Sequence, residues 1–435
     1  MKPLYIKKAL KETFFSMTKD ISRFVKHPGK DFTRNRKISF SDLILSIMSM
    51  ESHSLNHEIR DFFQKNATRP PSKSAFIQQR DKLNESAFMH LFSDFNKRIP
   101  YKKVFQGYHL LACDGSDLNL PPLESDSKTK VRSNTEGVSY QQIHLNAVYD
   151  LLENRYADIV IQPRGDYNEG AALIEMLHRN PIPGKSIYIA DRGYFSVNLL
   201  AHLIRSGQSF LLRMKKDNRN TAFLKRFNLP DDGEFDVTLD FEITRSHQIK
   251  YRDQKDRYYT IHPNRRFDLI PKNDTQTLMP ISVRVVKLAL PNGETEFLLT
   301  NLSRREFGLE ALSELYHLRW GIETSFRSLK YNMALSSFHS VRRDFIAQEI
   351  YAKVILYNFT LLLTQCVKVK KNETKHGYKI SVADAASIAR QYLVKNYTNK
   401  DVINLLRYYL TAIRPGRSSP RKVRAQRYKP LNYRN

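Results

Sequence analysis

From Gly107 to Lys215 the apolar residues switch between a spacing of two and a spacing of three to four, and this rhythm limits the fold more than any other feature. "YHLLACDGSDLNLP" reads as a strand ending in a turn. "SYQQIHLNAVYDLLENRYADIVIQP" reads as two strands joined at Glu153–Asn154, the shape of a hairpin. "NEGAALIEMLHRN" is spaced as a helix, "SIYIADRGY" as a strand running into a turn, "SVNLLAHLIRSG" as a helix with glycine at its end, and "SFLLRMK" as a strand. Three leading strands followed by alternating helix and strand predict an α/β fold on a mixed sheet.

The flanks differ. Residues 1–100 read as helical, with "SFSDLILSIMSM" opening on a serine cap and "SLNHEIRDFFQK" and "SAFIQQRDKLNESAFMHLFSDF" following. "RNRK" at 34–37 precedes them, and Arg60, Lys65, Arg69, Lys73, Arg80 and Lys82 decorate them. A helical module with basic faces fits a DNA-binding domain, and pattern alone fits a helical cap on a neighbouring domain equally well. Residues 216–296 are strand-like and polar, a β-rich insertion. Helices return at about 304; 297–340 carries the remainder of the core, and 341–413 the C-terminal helices, including stretches at 381–396 and 399–412. The tail, 414–435, contains basic residues and no acid, the composition of a disordered arm. The expected division is a helical domain (1–100), a core in two parts (101–215 and 297–340) around the insertion, C-terminal helices and the tail.

Charge narrows the partners. Lys and Arg number 71 against 44 acids, a formal net charge of +27, which suits a polyanion because phosphate contacts release counterions. A membrane surface would call for a basic amphipathic helix or a lipidation motif, and neither is read here. The apolar run at 354–363 is too short to span a bilayer. The start has no uninterrupted apolar core before a small-residue cleavage site, so no secretory signal is expected. Two cysteines, Cys113 and Cys366, make no disulfide framework or zinc motif. A reduced, soluble, cytoplasmic protein associated with the nucleoid is expected.

"ELYHLRWGIETSFRSLKYNMAL", 314–335, holds the chain's one tryptophan. On one helix at about 100° per residue, Tyr316, Arg319, Glu323 and Lys330 fall within roughly 60° of one another. Asp114 closes the apolar run "LLACD" and Asp191 closes "IYIAD"; sites in open α/β sheets collect beyond strand ends. Three carboxylates suit hard divalent cations, since Mg²⁺ takes oxygen donors. Two such ions roughly 3.5–4 Å apart can activate a water or 3′-hydroxyl and stabilise the leaving oxygen of a phosphodiester. Each residue also has a plainer account: Asp114-Gly115 as a turn pair, Asp191 as a helix cap, Glu323 in a solvated ion-pair face, and Trp320 as a core anchor. Asp117 and Asp166 are competing acids.

Together these residues resemble a known family. Y-x2-R-x3-E-x6-K, formed by Tyr316, Arg319, Glu323 and Lys330, is similar to the motif of DDE transposases of bacterial insertion sequences, in the group whose catalytic glutamate lies within it. "DGSDLNLP" and "YIADRGYFS" resemble the segments carrying that family's two aspartates, the β-rich insertion follows in the family's order, and "RPGRSSPRKV" resembles its basic C-terminal stretch. The resemblance covers roughly 34–430. It implies an RNase H-like core, with Asp114, Asp191 and Glu323 as catalytic ligands of two Mg²⁺ ions (Mn²⁺ able to replace them). It further implies Tyr316, Arg319 and Lys330 as contacts to transposon-end phosphates. Arg36, Lys37, Arg69, Arg80, Arg192, Arg417, Arg421 and Lys422 are the expected further contacts to double-stranded DNA, and a homodimer on paired ends is the expected assembly. Some members pass through a hairpin by flipping a base onto an aromatic residue of the insertion. That region has no tryptophan here, so Tyr251, Tyr258, Tyr259 or Phe267 would take the part. An inactive DNA-binding derivative and a nuclease that cuts without joining are the alternatives.

Overall fold

The structure, a computed structural model, describes residues 1–64, 69–132, 139–214, 223–290, 293–369, 377–394 and 397–413. Arg417, Arg421 and Lys422 lie outside these residues, as does Lys65.

The N-terminal hundred residues form α1 (Pro3–Lys19), α2 (Phe40–Ser49), α3 (Leu55–Phe63), α4 (Lys73–Asp81) and α5 (Ser86–Arg98). Ser39, Ser54 and Ser72 start α2, α3 and α4, each side chain accepting the backbone N–H three residues on. Those hydroxyls satisfy donors that a helix start leaves free.

Next come β1 (His109–Leu120), β2 (Lys130–Arg132), β3 (Ser139–Asp150), β4 (Arg155–Pro163), α6 (Glu169–Arg179), β5 (Ser186–Ala190), α7 (Val197–Arg205) and β6 (Ser209–Met214). The β3–β4 turn uses Asn154 at φ 53°, and α6 ends on Asn180 at φ 43°. Both are left-handed positions that asparagine tolerates better than most residues. Strands β7 (Phe235–Thr244), β8 (Tyr258–Thr260), β9 (Met279–Ala289) and β10 (Thr295–Thr300) follow.

Among the described residues, ten strands form one mixed sheet ordered β2-β3-β1-β5-β6-β10-β9-β7-β8, with β4 also paired to β3. β1 is antiparallel to β3 and parallel to β5, which is parallel to β6. The insertion strands continue this sheet, since β10 pairs both β6 and β9.

One sequence expectation fails at β1. No turn forms at Asp114-Gly115; the ladder with β3 runs from Leu111↔Asp150 to Leu120↔Gln141 without interruption. Leu118 and Leu120, with their side chains on one face, supply further burial beyond the glycine, and that outweighs the turn preference of the pair.

The two faces of the sheet are covered separately. Ala112, Leu118 and Leu120 join a core shared with α1–α5 and the helix Arg343–Thr364, while Leu111 and Cys113 face α6 and α7. The Arg343–Thr364 helix is longer than the apolar run suggested. By length and composition it could cross a membrane, but 89% of its apolar window is buried inside the protein, as in a central core helix. The C-terminal stretches form helices Val382–Val394 and Asn399–Tyr408, and the residues after Tyr408 pair as a short strand with Tyr378–Ile380.

Candidate active site

Strand register brings the two aspartates together. β1 and β5 pair in parallel up to Cys113↔Ala190; Asp114 is the next residue of β1, and Asp191 follows directly on the end of β5. Neighbours in a parallel pair point to the same face. Here that face is the one carrying Ala112, whose core includes α1–α5, residues of Trp320–Tyr331 and the Arg343–Thr364 helix.

The stretch expected to be a single helix is two, Leu309–Leu318 and Trp320–Tyr331, meeting at Arg319 (φ −51°, ψ −30°). Hydrogen bonds there tighten to three-residue spacing: Arg319 N–H donates to Tyr316 O and Ile322 N–H to Arg319 O. A close approach accompanies the break, since a Cβ on Gly321 would lie 2.7 Å from Leu151 Cδ2. Because all four motif residues keep nearly helical spacing across it, they still share a side.

Their side chains meet the aspartates. Arg319 Nη2 lies 3.0 Å from Glu323 Oε1 and Nη1 lies 3.4 Å from Asp114 Oδ2; the Tyr316 hydroxyl donates to Asp191 Oδ1 at 3.1 Å. Arg319 is 4% exposed, so its charge is committed inward. Burial works against that charge, but Tyr316, Asp114, Asp191 and Glu323 hold it in place and raise its pKa. Burial pushes the Asp114 carboxyl up to about 6, with Glu323 and Asp191 adding to the rise and Arg319 and the Gly115 N–H opposing it. The Tyr316 phenol is pushed well above its ordinary range, first by burial and then by Asp191. Lys330 donates to Asp117 O at 2.8 Å, and burial lowers its pKa.

Whether these residues suit divalent cations is decided by their donor chemistry. Asp114, Asp191 and Glu323 offer only hard oxygens, and Asp114 is an anion held in a poorly solvated position, which a cation would relieve. Among the described residues, however, no three acidic, histidine or cysteine side chains are drawn into a ligating group. The Arg319 guanidinium stands between Asp114 and Glu323 and balances them. The donors are the oxygen kind that a divalent cation takes, and in this structure Arg319 holds the position between two of them.

The other expected contacts separate by burial. Arg36, Lys37, Arg69 and Arg192 are exposed. Arg80 is not a surface cation: it is 1% exposed, bonded to Gln348 Oε1 (2.9 Å), Glu349 Oε1 (2.9 Å) and Phe345 O (2.5 Å). Position 80 falls on the inner face of α4, beside Phe76 and Gln79, so its charge is spent tying α4 to the central helix. Trp320 is 55% exposed, against the expectation of a core anchor. In the insertion, Tyr259 and Phe267 are buried, while Tyr251 and Tyr258 are half-buried and meet edge to face at 4.8 Å. Tyr251 lines a cleft of about 930 Å³ with Arg226, Arg252, Lys255, Arg265 and Arg266.

Sequence reasoning passed over His144, Glu169, Arg213 and Glu296. Arg213 reaches Glu296 Oε1 at 3.0 Å and lies 5.9 Å from the Tyr316 ring. These residues occupy ordinary strand or helix positions, and no spacing marks them. Asp117, weighed as a rival ligand, is ion-paired to His144 and Arg164, and Asp166 is exposed.

Residues 106–359 match the family described as Transposase DDE domain. No curated relative matches the chain in sequence. Among solved structures, the cryo-EM structure of the piggyBac transposase synaptic complex with hairpin DNA is similar at a TM-score of 0.47 and 12% identity, over 96% of this chain and 87% of that one. The family match spans more than half of the chain and takes in β1, β5 and the helix pair that brings Tyr316, Arg319 and Glu323 to the two aspartates. On that match the chain belongs to the DDE transposases, a family of metal-dependent enzymes that cleave nucleic acid.

Proposed function

We propose that this chain is the transposase of a bacterial insertion sequence. It binds the element's terminal inverted repeats as a dimer, cleaves there, and joins the freed 3′-hydroxyls to target DNA in the cytoplasm, at the nucleoid. One observation carries the assignment of the site: Arg319 and Tyr316 link carboxylates from three distant segments, Asp114, Asp191 and Glu323, where β5 ends beside the middle of β1. The order β4-β3-β1-β5-β6, antiparallel then parallel, supports an RNase H-like core.

Asp114, Asp191 and Glu323 would hold divalent cations, Mg²⁺ or Mn²⁺. Bound there, such ions would sharpen an attacking water or hydroxyl and stabilise the departing oxygen. The chain's own contribution is placement. Tyr316 fixes Asp191 through its hydroxyl, and Lys330 anchors the glutamate helix to β1. Arg319, if released from Asp114 and Glu323, would offer a cation to a phosphate there. Exposed Arg36, Lys37, Arg69 and Arg192 support backbone contacts outside the site, and the cationic cleft beside Tyr251 supports a further one in the insertion.

The test uses a labelled fragment carrying the inverted repeat that flanks the gene, incubated with Mg²⁺ or with EDTA. Cleavage and strand joining in Mg²⁺ only are expected. Asp114→Ala, Asp191→Ala and Glu323→Ala should each abolish cleavage and leave end binding largely intact. Wild-type cleavage by any of the three variants refutes that residue's role. Binding without cleavage by the native chain refutes the enzyme reading, and cleavage without joining reduces it to a nuclease.

A further inference from the structure

Behind β1, on the side opposite Asp114, lies a second polar cluster. His144 on β3 stands directly across from Asp117 on β1. Its ring is 5% exposed. Nδ1 lies 2.6 Å from Asp117 Oδ1, and Nε2 faces Glu169 Oε1 at 3.2 Å, an ion-pair distance short of good hydrogen-bond alignment. Arg164 Nε reaches the same Asp117 oxygen at 3.0 Å, and the Tyr167 ring covers the imidazole at 4.6 Å. An imidazole with a carboxylate at each nitrogen serves both only when both nitrogens carry protons. Burial opposes that charge, but Asp117 and Glu169 outweigh it and raise the His144 pKa.

The cluster lies against both aspartate segments. A Cβ on Gly115, the residue after Asp114, would overlap the His144 ring at Nε2. A Cβ on Gly193, two residues after Asp191, would lie 2.5 Å from Glu169 Oε2. The ring and the carboxylate therefore fill the space that side chains at 115 and 193 would take. Asp117 is also the residue whose carbonyl receives Lys330 from the glutamate helix. Through packing at Gly115 and Gly193 and the hydrogen bond from Lys330, this cluster touches all three segments that carry the acids.

We propose that Asp117–His144–Glu169 is a brace that sets the spacing of Asp114 from Asp191, making His144 and Glu169 positioning residues for divalent-cation binding. This rests on the reading of the three acids given above. The geometry fits that part: the brace is anchored in the sheet through β1 and β3 and crosses to the start of α6, so it fixes one aspartate segment relative to the other.

Mn²⁺ binding to the full chain without DNA, followed by electron paramagnetic resonance, tests it. Outer partners of metal ligands are typically worth about 10- to 100-fold in affinity. Because His144 and Glu169 lie one contact further out than such partners, His144→Ala and Glu169→Ala are each expected to weaken Mn²⁺ binding by about the lower, 10-fold end of that range, with end-DNA affinity unchanged. Because both break the same chain, the double variant should be no weaker than the worse single one. Gly115→Ala should weaken Mn²⁺ binding as well, because its methyl displaces the ring. Glu169 sits at a helix start with its side chain 22% exposed, so its variant decides the matter if His144→Ala does not fold. Mn²⁺ affinity within twofold of wild type in Glu169→Ala, or losses that add independently in the double variant, would overturn the brace. Asp114→Ala separates the two layers: if it binds Mn²⁺ as wild type does, the three-acid reading itself fails and the brace falls with it.

Discussion

Asp114→Asn, in the metal-free chain, tests whether the site is held under electrostatic tension. The Asp114 carboxyl is 20% exposed, and burial lifts its pKa to about 6 from an ordinary value of 3.8. A carboxyl raised on folding favours the folded state only while protonated. Below about pH 3.8 both states hold the proton and nothing is lost. As the pH rises through 6, the folded chain must carry an anion that the unfolded chain carries more easily. At 1.36 kcal/mol per unit, the rise of 2.2 corresponds to about 3 kcal/mol of lost stability at neutral pH. At pH 4.5 the same linkage gives only about 1 kcal/mol. Asparagine keeps the shape and cannot ionise. Urea unfolding in EDTA should therefore show the asparagine variant gaining on wild type by about 2 kcal/mol between pH 4.5 and 7.5. The change with pH is the informative quantity, because the ion pair to Arg319 is already contained in the Asp114 pKa, and what remains of the difference between asparagine and a protonated aspartate shifts both ends alike. Saturating Mg²⁺ should narrow the gap at pH 7.5, since a bound cation stabilises only the folded wild type. A gap that is flat with pH, or one that Mg²⁺ leaves unchanged, refutes the reasoning.

Three further outcomes follow from burial. Arg80→Ala should destabilise the chain by about 3–5 kcal/mol in urea unfolding, because it leaves Glu349 facing only His339 in the interior; a loss below about 1 kcal/mol together with a flatter salt dependence of DNA binding would return Arg80 to the DNA surface. Arg36→Ala should do the reverse, changing stability by no more than about 0.5 kcal/mol and lowering the salt slope of end binding by about one. Gly321→Ala should cost about 1–3 kcal/mol by pressing a methyl on Leu151, and Leu151→Ala in the same chain should recover part of it; strictly additive losses in thermal melts would show that the two do not touch.

Much of the architecture could be read from periodicity. The β3–β4 hairpin at Asn154, α6, α7 with Gly207 after it, and the strand ending just before Asp191 all lie where apolar spacing and turn residues put them. The misreadings share one cause. "CDGS" has turn chemistry, yet β1 runs through it because β3 supplies ladder partners throughout that stretch and Leu118 and Leu120 are buried beyond it. Arg80 looks like one of several surface bases, and only its place on the inner face of α4 shows that it is buried. Trp320 looks like core, and only the helix break at Arg319 shows which way it faces. Local propensity carries no information about what stands opposite.

By itself the sequence determined the order of elements, the charge that favours a polyanion, and the three acids worth suspecting, because these depend on residue type and short-range spacing. The tertiary structure alone decided that Asp114 and Asp191 are neighbours, that Arg319 is turned inward between two carboxylates, and that His144 and Glu169 lie against both glycines. Those facts depend on strand register and on contacts between residues up to about two hundred positions apart, as with Asp114 and Arg319. Such contacts form only once the sheet's pairing has been chosen.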